Sequence, residues 1–111
     1  MSASIDKTAA LKAISLFRKA LESRSIKVDR LILFGSYASG TYREGSDIDL
    51  IVISEGFAGK GYWERIDILS DAIYEVFEPI EAIAMTPDEW SKGESSVVEY
   101  AKAGEVVYAA Q

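Results

Sequence analysis

The stretch LILFGSYASGTYREGSDIDLIVIS, residues 31–54, contains two apolar runs joined by a dozen small and polar residues. The first run ends at a Gly-Ser pair, and the second begins with Asp47 and Asp49 in an otherwise apolar sequence. Short apolar runs bounded by turn-forming residues are typical of buried strands. We therefore predict strands over residues 31–34 and 47–53, the second covered on both faces because both faces are mostly apolar.

The connections between strands predict how they pair. Residues 35–46 are too few for a comfortable parallel crossover, so the first two strands should be antiparallel neighbours. A helix over residues 62–77 leads from the second strand to a third over residues 80–85, so that pair should be parallel. The residues that would then meet at one edge of a mixed sheet are Gly35, Ser36, Asp47, Asp49 and Glu81.

The rest of the chain predicts helices around this sheet. Apolar residues at helical spacing predict a helix over residues 5–22, and Thr86-Pro87 is a typical helix start. A further helix is predicted over residues 95–103 and a short edge strand over 106–108. The buried face of the helix over 62–77 is predicted to carry Tyr62, Ile66, Leu69, Ile73 and Val76. The fold class is thus α/β (α+β), a small mixed β-sheet flanked by helices.

The segment GFAGKG, residues 56–61, lies between a strand and a helix, where a phosphate-binding P-loop would be found. Its glycine spacing is too short for that motif, and Gly61 stands where Ser or Thr must bind Mg²⁺. We therefore interpret it as a mobile loop.

Composition limits the possible functions. With 111 residues, 49% of them apolar, residues 1–111 should form one domain. The absence of Cys and His excludes thiolate metal sites and histidine-based catalysis, so a metal would need oxygen ligands, which favours Mg²⁺ or Mn²⁺. No apolar run approaches the roughly 20 residues that span a membrane, so we expect a cytoplasmic protein. A net charge of −6 makes nucleic acid an unfavourable main partner.

Asp47 and Asp49 are two residues apart on a strand, so they share a face, about 6.6 Å apart at a rise of roughly 3.3 Å per residue. Two carboxylates that close, beside apolar neighbours, repel each other and lose hydration. A divalent cation would remove both costs. The alternative is structural: Asp47 caps the turn and Asp49 lies exposed at the strand end.

Gly35 and Ser36 suggest an anion site beside this pair. Glycine at a strand end lets the backbone turn tightly and approach a ligand, while Ser36 could cap a short helix over residues 37–40 and donate to a phosphate. Arg43, in the same loop, could reach that phosphate. A plain Gly-Ser turn and a solvated arginine are the alternatives.

Taken together, Gly35-Ser36 followed by Asp47-Ile48-Asp49 resembles the Gly-Ser…Asp-x-Asp signature of the DNA polymerase beta nucleotidyltransferase superfamily. The segment from about Leu31 to Tyr108 is similar to the minimal nucleotidyltransferases of that superfamily, small proteins that amount to the bare catalytic domain.

The resemblance implies a two-metal site for Mg²⁺ (or Mn²⁺) in which Asp47 and Asp49 are joined by a third carboxylate. Glu81 matches that position, although the family usually has Asp there, one methylene shorter, and Glu78 is the fallback. The catalytic and metal-binding residues implied are Asp47, Asp49 and Glu81. The nucleotide-binding residues implied are Gly35, Ser36, Arg43 and Ser46.

The function implied by the resemblance is transfer of a nucleoside monophosphate, such as AMP from ATP, to a hydroxyl of a partner protein. Minimal nucleotidyltransferases commonly pair with HEPN-domain toxins as antitoxins, and 111 residues leave little room for a separate acceptor domain. The alternative is a catalytically weak module that neutralises its partner by contact.

The helix over residues 62–77 and the residue that follows it carry a stripe of five acidic residues. This acidic stripe comprises Glu64, Asp67, Asp71, Glu75 and Glu78. It is either a solvated face or a docking face for a basic partner.

Overall fold

The structure, a computed structural model, describes residues 6–93 and 96–111. Its helices and strands follow in the order α1 (Lys7–Glu22), β1 (Arg30–Phe34), α2 (Ser36–Ser39), β2 (Ile48–Ile53), α3 (Tyr62–Val76), β3 (Ile80–Met85), α4 (Pro87–Lys92), α5 (Ser96–Ala101) and β4 (Glu105–Ala109). Residue 5 and Ser95, the predicted first residues of two helices, lie outside the described residues. No helix within the described ranges has the length and apolar character needed to cross a membrane.

The four strands form one mixed sheet in the order β3-β2-β1-β4. Strand β1 is antiparallel to both β2 and β4, whereas β2 and β3 are parallel. The predicted pairing of the first three strands and the predicted edge strand are both confirmed. The small mixed sheet flanked by helices is therefore the fold that the sequence predicts.

Side chains alternate between the two faces of each strand, so both faces of the sheet carry apolar side chains. A different pair of helices packs on each face. Helices α1 and α3 pack on one face, against buried residues such as Leu33 and Leu50. Helices α4 and α5 cover part of the other face, which we call the α4/α5 face, where Ile51 packs with Val98 and Trp90. Strand β2 is buried along most of its length, as a central strand should be.

One local prediction was wrong at the start of α3. Tyr62, predicted on the buried face of this helix, is 69% exposed and packs edge-on against Trp63, with the ring centroids 4.9 Å apart. It occupies the first helical position, before the helix reaches the part of the sheet where Leu69 and Ala72 are buried. Apolar spacing alone does not show where a helix begins to overlap its neighbour.

The segment after β2 is more ordered than the predicted mobile loop. Its first part is one turn of 3-10 helix, Glu55–Phe57, in which the Ser54 hydroxyl accepts a hydrogen bond from the Gly56 N–H. Phe57 is fully buried in the main core and anchors the loop there.

The predicted start of α4 is confirmed, because the Thr86 side chain accepts a hydrogen bond from the Glu89 N–H.

Candidate active site

Three neighbouring strands bring Phe34, Asp49 and Glu81 into one row across the sheet. The register pairs Phe34 with Asp49 on β2, and Asp49 with Glu81 on β3. Directly opposed residues project from the same face of a sheet, so these three side chains share the α4/α5 face. Adjacent strands lie about 4.8 Å apart, which makes Asp49 and Glu81 close neighbours.

Asp47 lies just outside this row. Strand β2 begins at Ile48, whose N–H donates to the Pro79 carbonyl, so the predicted strand start at Asp47 is one residue early. Asp47 is exposed and immediately precedes the strand. Three acidic residues thus lie around one end of β2 and β3, and we call Asp47, Asp49 and Glu81 the carboxylate cluster.

The charges of the carboxylate cluster act on one another. Burial raises the pKa of Asp49 above its ordinary value, and the negative charges of Glu81 and then Asp47 raise it further. An ionised Asp49 is therefore penalised both by lost hydration and by repulsion. A bound cation would relieve both effects, and oxygen donors suit Mg²⁺ or Mn²⁺.

Across the described ranges, no three potential metal-binding side chains are gathered closely enough to hold an ion as they stand. Glu81 is exposed, and its carboxylate makes neither a hydrogen bond nor an ion pair with another described residue. Glu81 is consequently unrestrained and able to turn toward Asp49.

Replacing Asp49 by asparagine is expected to raise the melting temperature of the metal-free protein by a few degrees at neutral pH. The pKa of Asp49 is higher in the folded state than its ordinary value of 3.8, so ionisation of Asp49 destabilises the folded state at neutral pH. This destabilisation decreases as the pH falls and is lost near pH 3.8. The difference in melting temperature between Asp49→Asn and the parent protein should therefore shrink on acidification. Thermal denaturation in a metal chelator at several pH values measures this difference, and a lower melting temperature for the variant at pH 7 would contradict it.

Gly35 brings the backbone against Asp49. Its φ of +73° and ψ of −151° lie where only glycine is comfortable. A Cβ placed on Gly35 would overlap Oδ2 of Asp49 and lie 3.1 Å from its Cγ. The absence of a side chain at this position thus permits direct contact between the turn after β1 and the carboxylate cluster.

The expected helix cap at Ser36 was wrong. Gly35 is the N-cap of α2, and Ser36 is the first helical residue, half-buried, with no side-chain capping bond at this end. The positive φ of Gly35 turns the chain into the helix one residue earlier than a serine cap would. The Ser36 hydroxyl therefore remains available for a ligand instead of being used by the helix.

Arg43 and Ser46 form a turn just before Asp47. The Ser46 hydroxyl accepts a hydrogen bond of 2.9 Å from the Arg43 N–H, and the Ser46 N–H donates to the Arg43 carbonyl at 3.0 Å. The Arg43 side chain is exposed and forms no ion pair with any residue that the structure describes. These two predicted nucleotide-binding residues thus contact each other, and no hydrogen bond among the described residues joins them to Gly35.

Two aromatic residues that sequence reasoning missed hold the loop between β1 and β2. The rings of Tyr37 and Tyr42 stack with their centroids 4.3 Å apart, and the Lys7 N–H donates to the Tyr42 hydroxyl at 3.3 Å. Burial raises the pKa of Tyr37, and the charges of Tyr42, Asp6 and Glu78 raise it further. The register pairs Glu81, and not the fallback candidate Glu78, with Asp49.

Comparison with known proteins shows the family of this chain. The family model described as "Nucleotidyltransferase domain" matches residues 14–102, most of the chain. The matched region contains the Gly35 turn and the whole carboxylate cluster. The chain belongs to the nucleotidyltransferase domain family.

Two curated relatives come from Methanocaldococcus jannaschii. "Putative protein adenylyltransferase MJ0604" is 47% identical over 45 residues, which cover 40% of this chain and 45% of that protein. "Putative protein adenylyltransferase MJ0141" is 59% identical over 27 residues, 24% of this chain and 27% of that protein. The chain thus matches less than half of the length of either relative.

Solved structures share the fold at low sequence identity. A structure described as "a putative nucleotidyltransferase from Sulfolobus solfataricus" superposes with a TM-score of 0.69 at 20% identity, over 90% of this chain and 80% of that one. A toxin-antitoxin structure with AMP-PNP gives 0.61 at 20% identity, over 91% of this chain and 74% of that one. A mutant of the toxin-antitoxin MntA-HpeT gives 0.57 at 19% identity, over 84% and 70%.

Proposed function

We propose that this nucleotidyltransferase domain transfers AMP from ATP to a hydroxyl group of a partner protein. The observation that carries the proposal is the contact between Gly35 and Asp49, because it brings a turn suited to phosphate against an acid suited to a cation. Both curated relatives carry the name "Putative protein adenylyltransferase", which supports a protein acceptor.

The residues have complementary tasks in this proposal. The turn at Gly35 and the Ser36 hydroxyl would bind the β- and γ-phosphates, with Arg43 and Ser46 reaching the triphosphate from the neighbouring turn. Asp47 and Asp49 would hold divalent ions, and Glu81 would turn inward to complete the set. When bound, Mg²⁺ or Mn²⁺ would neutralise charge on the triphosphate and promote ionisation of the acceptor hydroxyl.

The reaction is a substitution at the α-phosphorus of ATP. The acceptor oxygen forms a new bond to this phosphorus, the bond from the phosphorus to the bridging oxygen breaks, and pyrophosphate leaves. The acceptor loses its hydroxyl proton to solvent or to a carboxylate. Because the chain has no histidine, the carboxylate cluster would have to provide whatever proton acceptance the domain contributes.

A HEPN-domain toxin is the partner that we propose, which would make this chain the antitoxin of the pair. Two solved structures that share this fold are of toxin-antitoxin assemblies, which supports an assembly of that kind. The acidic stripe on α3 offers a surface for a basic partner, with one correction: Glu75 is already paired with Arg24 at 2.7 Å. Glu64, Asp67 and Asp71 are exposed and lack ion pairs within the described part of the chain, so they carry most of the available charge.

A second candidate function is neutralisation of the partner by contact alone. It is favoured by glutamate at position 81, where the resemblance leads us to expect aspartate. In that case the fold and the docking surface would suffice, and ATP turnover would be slow or absent.

Labelled ATP separates the two functions. Incubation of this chain with the candidate HEPN partner and Mg²⁺ should transfer label from α-labelled ATP to the partner, and none from γ-labelled ATP. Glu81→Gln should reduce this transfer by about 100-fold or more, the loss typical of a group that stabilises developing charge, with little change in melting temperature. Glu81→Asp should retain or increase it.

Two results would count against the assignment. Full inhibition of the partner without any label transfer would favour the contact module. Undiminished transfer by Glu81→Gln would move the third carboxylate elsewhere, with Glu78→Gln as the next variant to measure.

A further inference from the structure

Tyr100 on α5 is an exposed aromatic residue beside the candidate active site. Its side chain is 68% exposed. Its ring meets the ring of Phe34 edge-on, with the centroids 5.9 Å apart and the planes at 89°. Phe34 is the first member of the row that continues through Asp49 and Glu81. An exposed aromatic ring, in contact with Phe34, therefore lies next to the carboxylate cluster on the same face of the sheet.

A groove runs between α2 and α5 at this ring. It has a volume of about 190 Å³, and its lining residues include Phe34, Gly35, Ala38, Ser39, Tyr100 and Gly104. At about 190 Å³ the groove is smaller than the roughly 300–1,000 Å³ of pockets that bury a whole drug-sized ligand, so it suits one flat ring system of a larger ligand.

The lining of the groove favours an uncharged, flat ligand. None of its lining residues is charged. The Ser39 hydroxyl is within hydrogen-bond distance of the Thr41 hydroxyl at 2.8 Å, so one polar group is already engaged. What remains is an aromatic surface with small residues around it, which suits stacking and is poorly suited to a phosphate group.

The groove and the carboxylate cluster share Gly35, which lines the first and contacts Asp49 in the second. One strand spacing of about 4.8 Å separates Asp49 from Phe34. The Tyr100 ring centroid is 5.9 Å from the centroid of the Phe34 ring. The groove and the carboxylate cluster thus adjoin at Gly35 and Phe34, as the base and the phosphates of one nucleotide require.

We propose that the groove between α2 and α5 binds the purine base of the nucleoside triphosphate, with Tyr100 as the stacking surface. The inference rests on the proposed function and adds to it a base-binding residue and a preference for purines. The preference follows because a purine covers more of an aromatic ring than a pyrimidine does, and the groove offers few polar groups for reading base edges.

Calorimetry with three ligands tests this site. In Mg²⁺, the parent protein should bind ATP more tightly than CTP, and both more tightly than tripolyphosphate, which has no base. Loss of one base-aromatic stack costs about 1–3 kcal/mol, so Tyr100→Ala should weaken ATP binding about 5- to 150-fold. Its affinity for tripolyphosphate should not change. Tyr100→Phe should bind ATP like the parent protein.

Tyr74→Ala is the matched control, because Tyr74 is 81% exposed and lies on α3, away from the groove. Parent-like ATP affinity in Tyr100→Ala, or equal affinity of the parent protein for ATP and tripolyphosphate, would overturn the base site and leave the carboxylate cluster in place. If the parent protein bound neither ligand in Mg²⁺, the proposed function itself would fail, and the base site with it.

Discussion

Replacing Asp47 and Asp49 together by asparagine is expected to abolish Mg²⁺-dependent ATP binding and nucleotide transfer while the protein stays folded. Asparagine keeps the size of each side chain but removes the negative charge that would hold a divalent ion. Removing even one group that stabilises developing charge typically slows an enzyme about 100- to 1,000-fold, so the double variant should lose at least that much activity. Its stability should not fall, because burial and then the repulsion from Glu81 and Asp47 raise the pKa of Asp49 in the folded state, and a neutral side chain avoids both penalties.

Calorimetry with ATP and Mg²⁺, together with thermal denaturation, measures both parts of this expectation. The matched control is Asp67→Asn/Asp71→Asn, which removes the same charge from the exposed side of α3 and should leave ATP binding unchanged. Equal ATP affinity in the parent protein and Asp47→Asn/Asp49→Asn would contradict the metal-binding role of the pair.

Gly35→Ala is expected to remove activity and to destabilise the fold as well. The backbone at Gly35 has a positive φ, and a new Cβ would overlap Oδ2 of Asp49. A strained backbone of this kind costs about 1–3 kcal/mol, and displacement of Asp49 adds to that cost. Transfer activity and the free energy of unfolding should therefore both fall.

Two comparisons separate these effects. Gly59 also has a positive φ, +78°, but nothing lies within 4 Å of a Cβ built there, so Gly59→Ala should cost stability and preserve activity. In an Asp49→Ala background the overlapping oxygen is absent, so Gly35→Ala should destabilise less than it does in the parent protein. Equal costs in the two backgrounds would show that Gly35 and Asp49 are not coupled.

The strand pairing could be predicted because it depends on connection length and apolar pattern. Residues 35–46 are too few for a parallel crossover, and β1 and β2 are antiparallel. The helix between β2 and β3 is long enough, and they are parallel. This topology also predicts that Asp49 and Glu81 lie on neighbouring strand ends, which the register confirms.

Details that depend on packing between distant segments could not be predicted. The exposure of Tyr62 depends on where α3 begins to overlap the sheet, and the burial of Phe57 depends on the core beneath the loop. The Tyr37–Tyr42 and Phe34–Tyr100 ring contacts depend on positions that no local spacing determines. The turn at Gly35 was expected from its residue type, but its contact with Asp49 required the register of two strands.

The most direct test of the account is where a paramagnetic ion binds. Mn²⁺ and ATP added to the isotopically labelled protein should broaden the backbone NMR signals around Gly35, Asp49 and Glu81 most strongly. The broadening should be absent in Asp47→Asn/Asp49→Asn. Broadening centred on the acidic stripe of α3, or persisting unchanged in the double variant, would contradict the carboxylate cluster as the nucleotide and metal site.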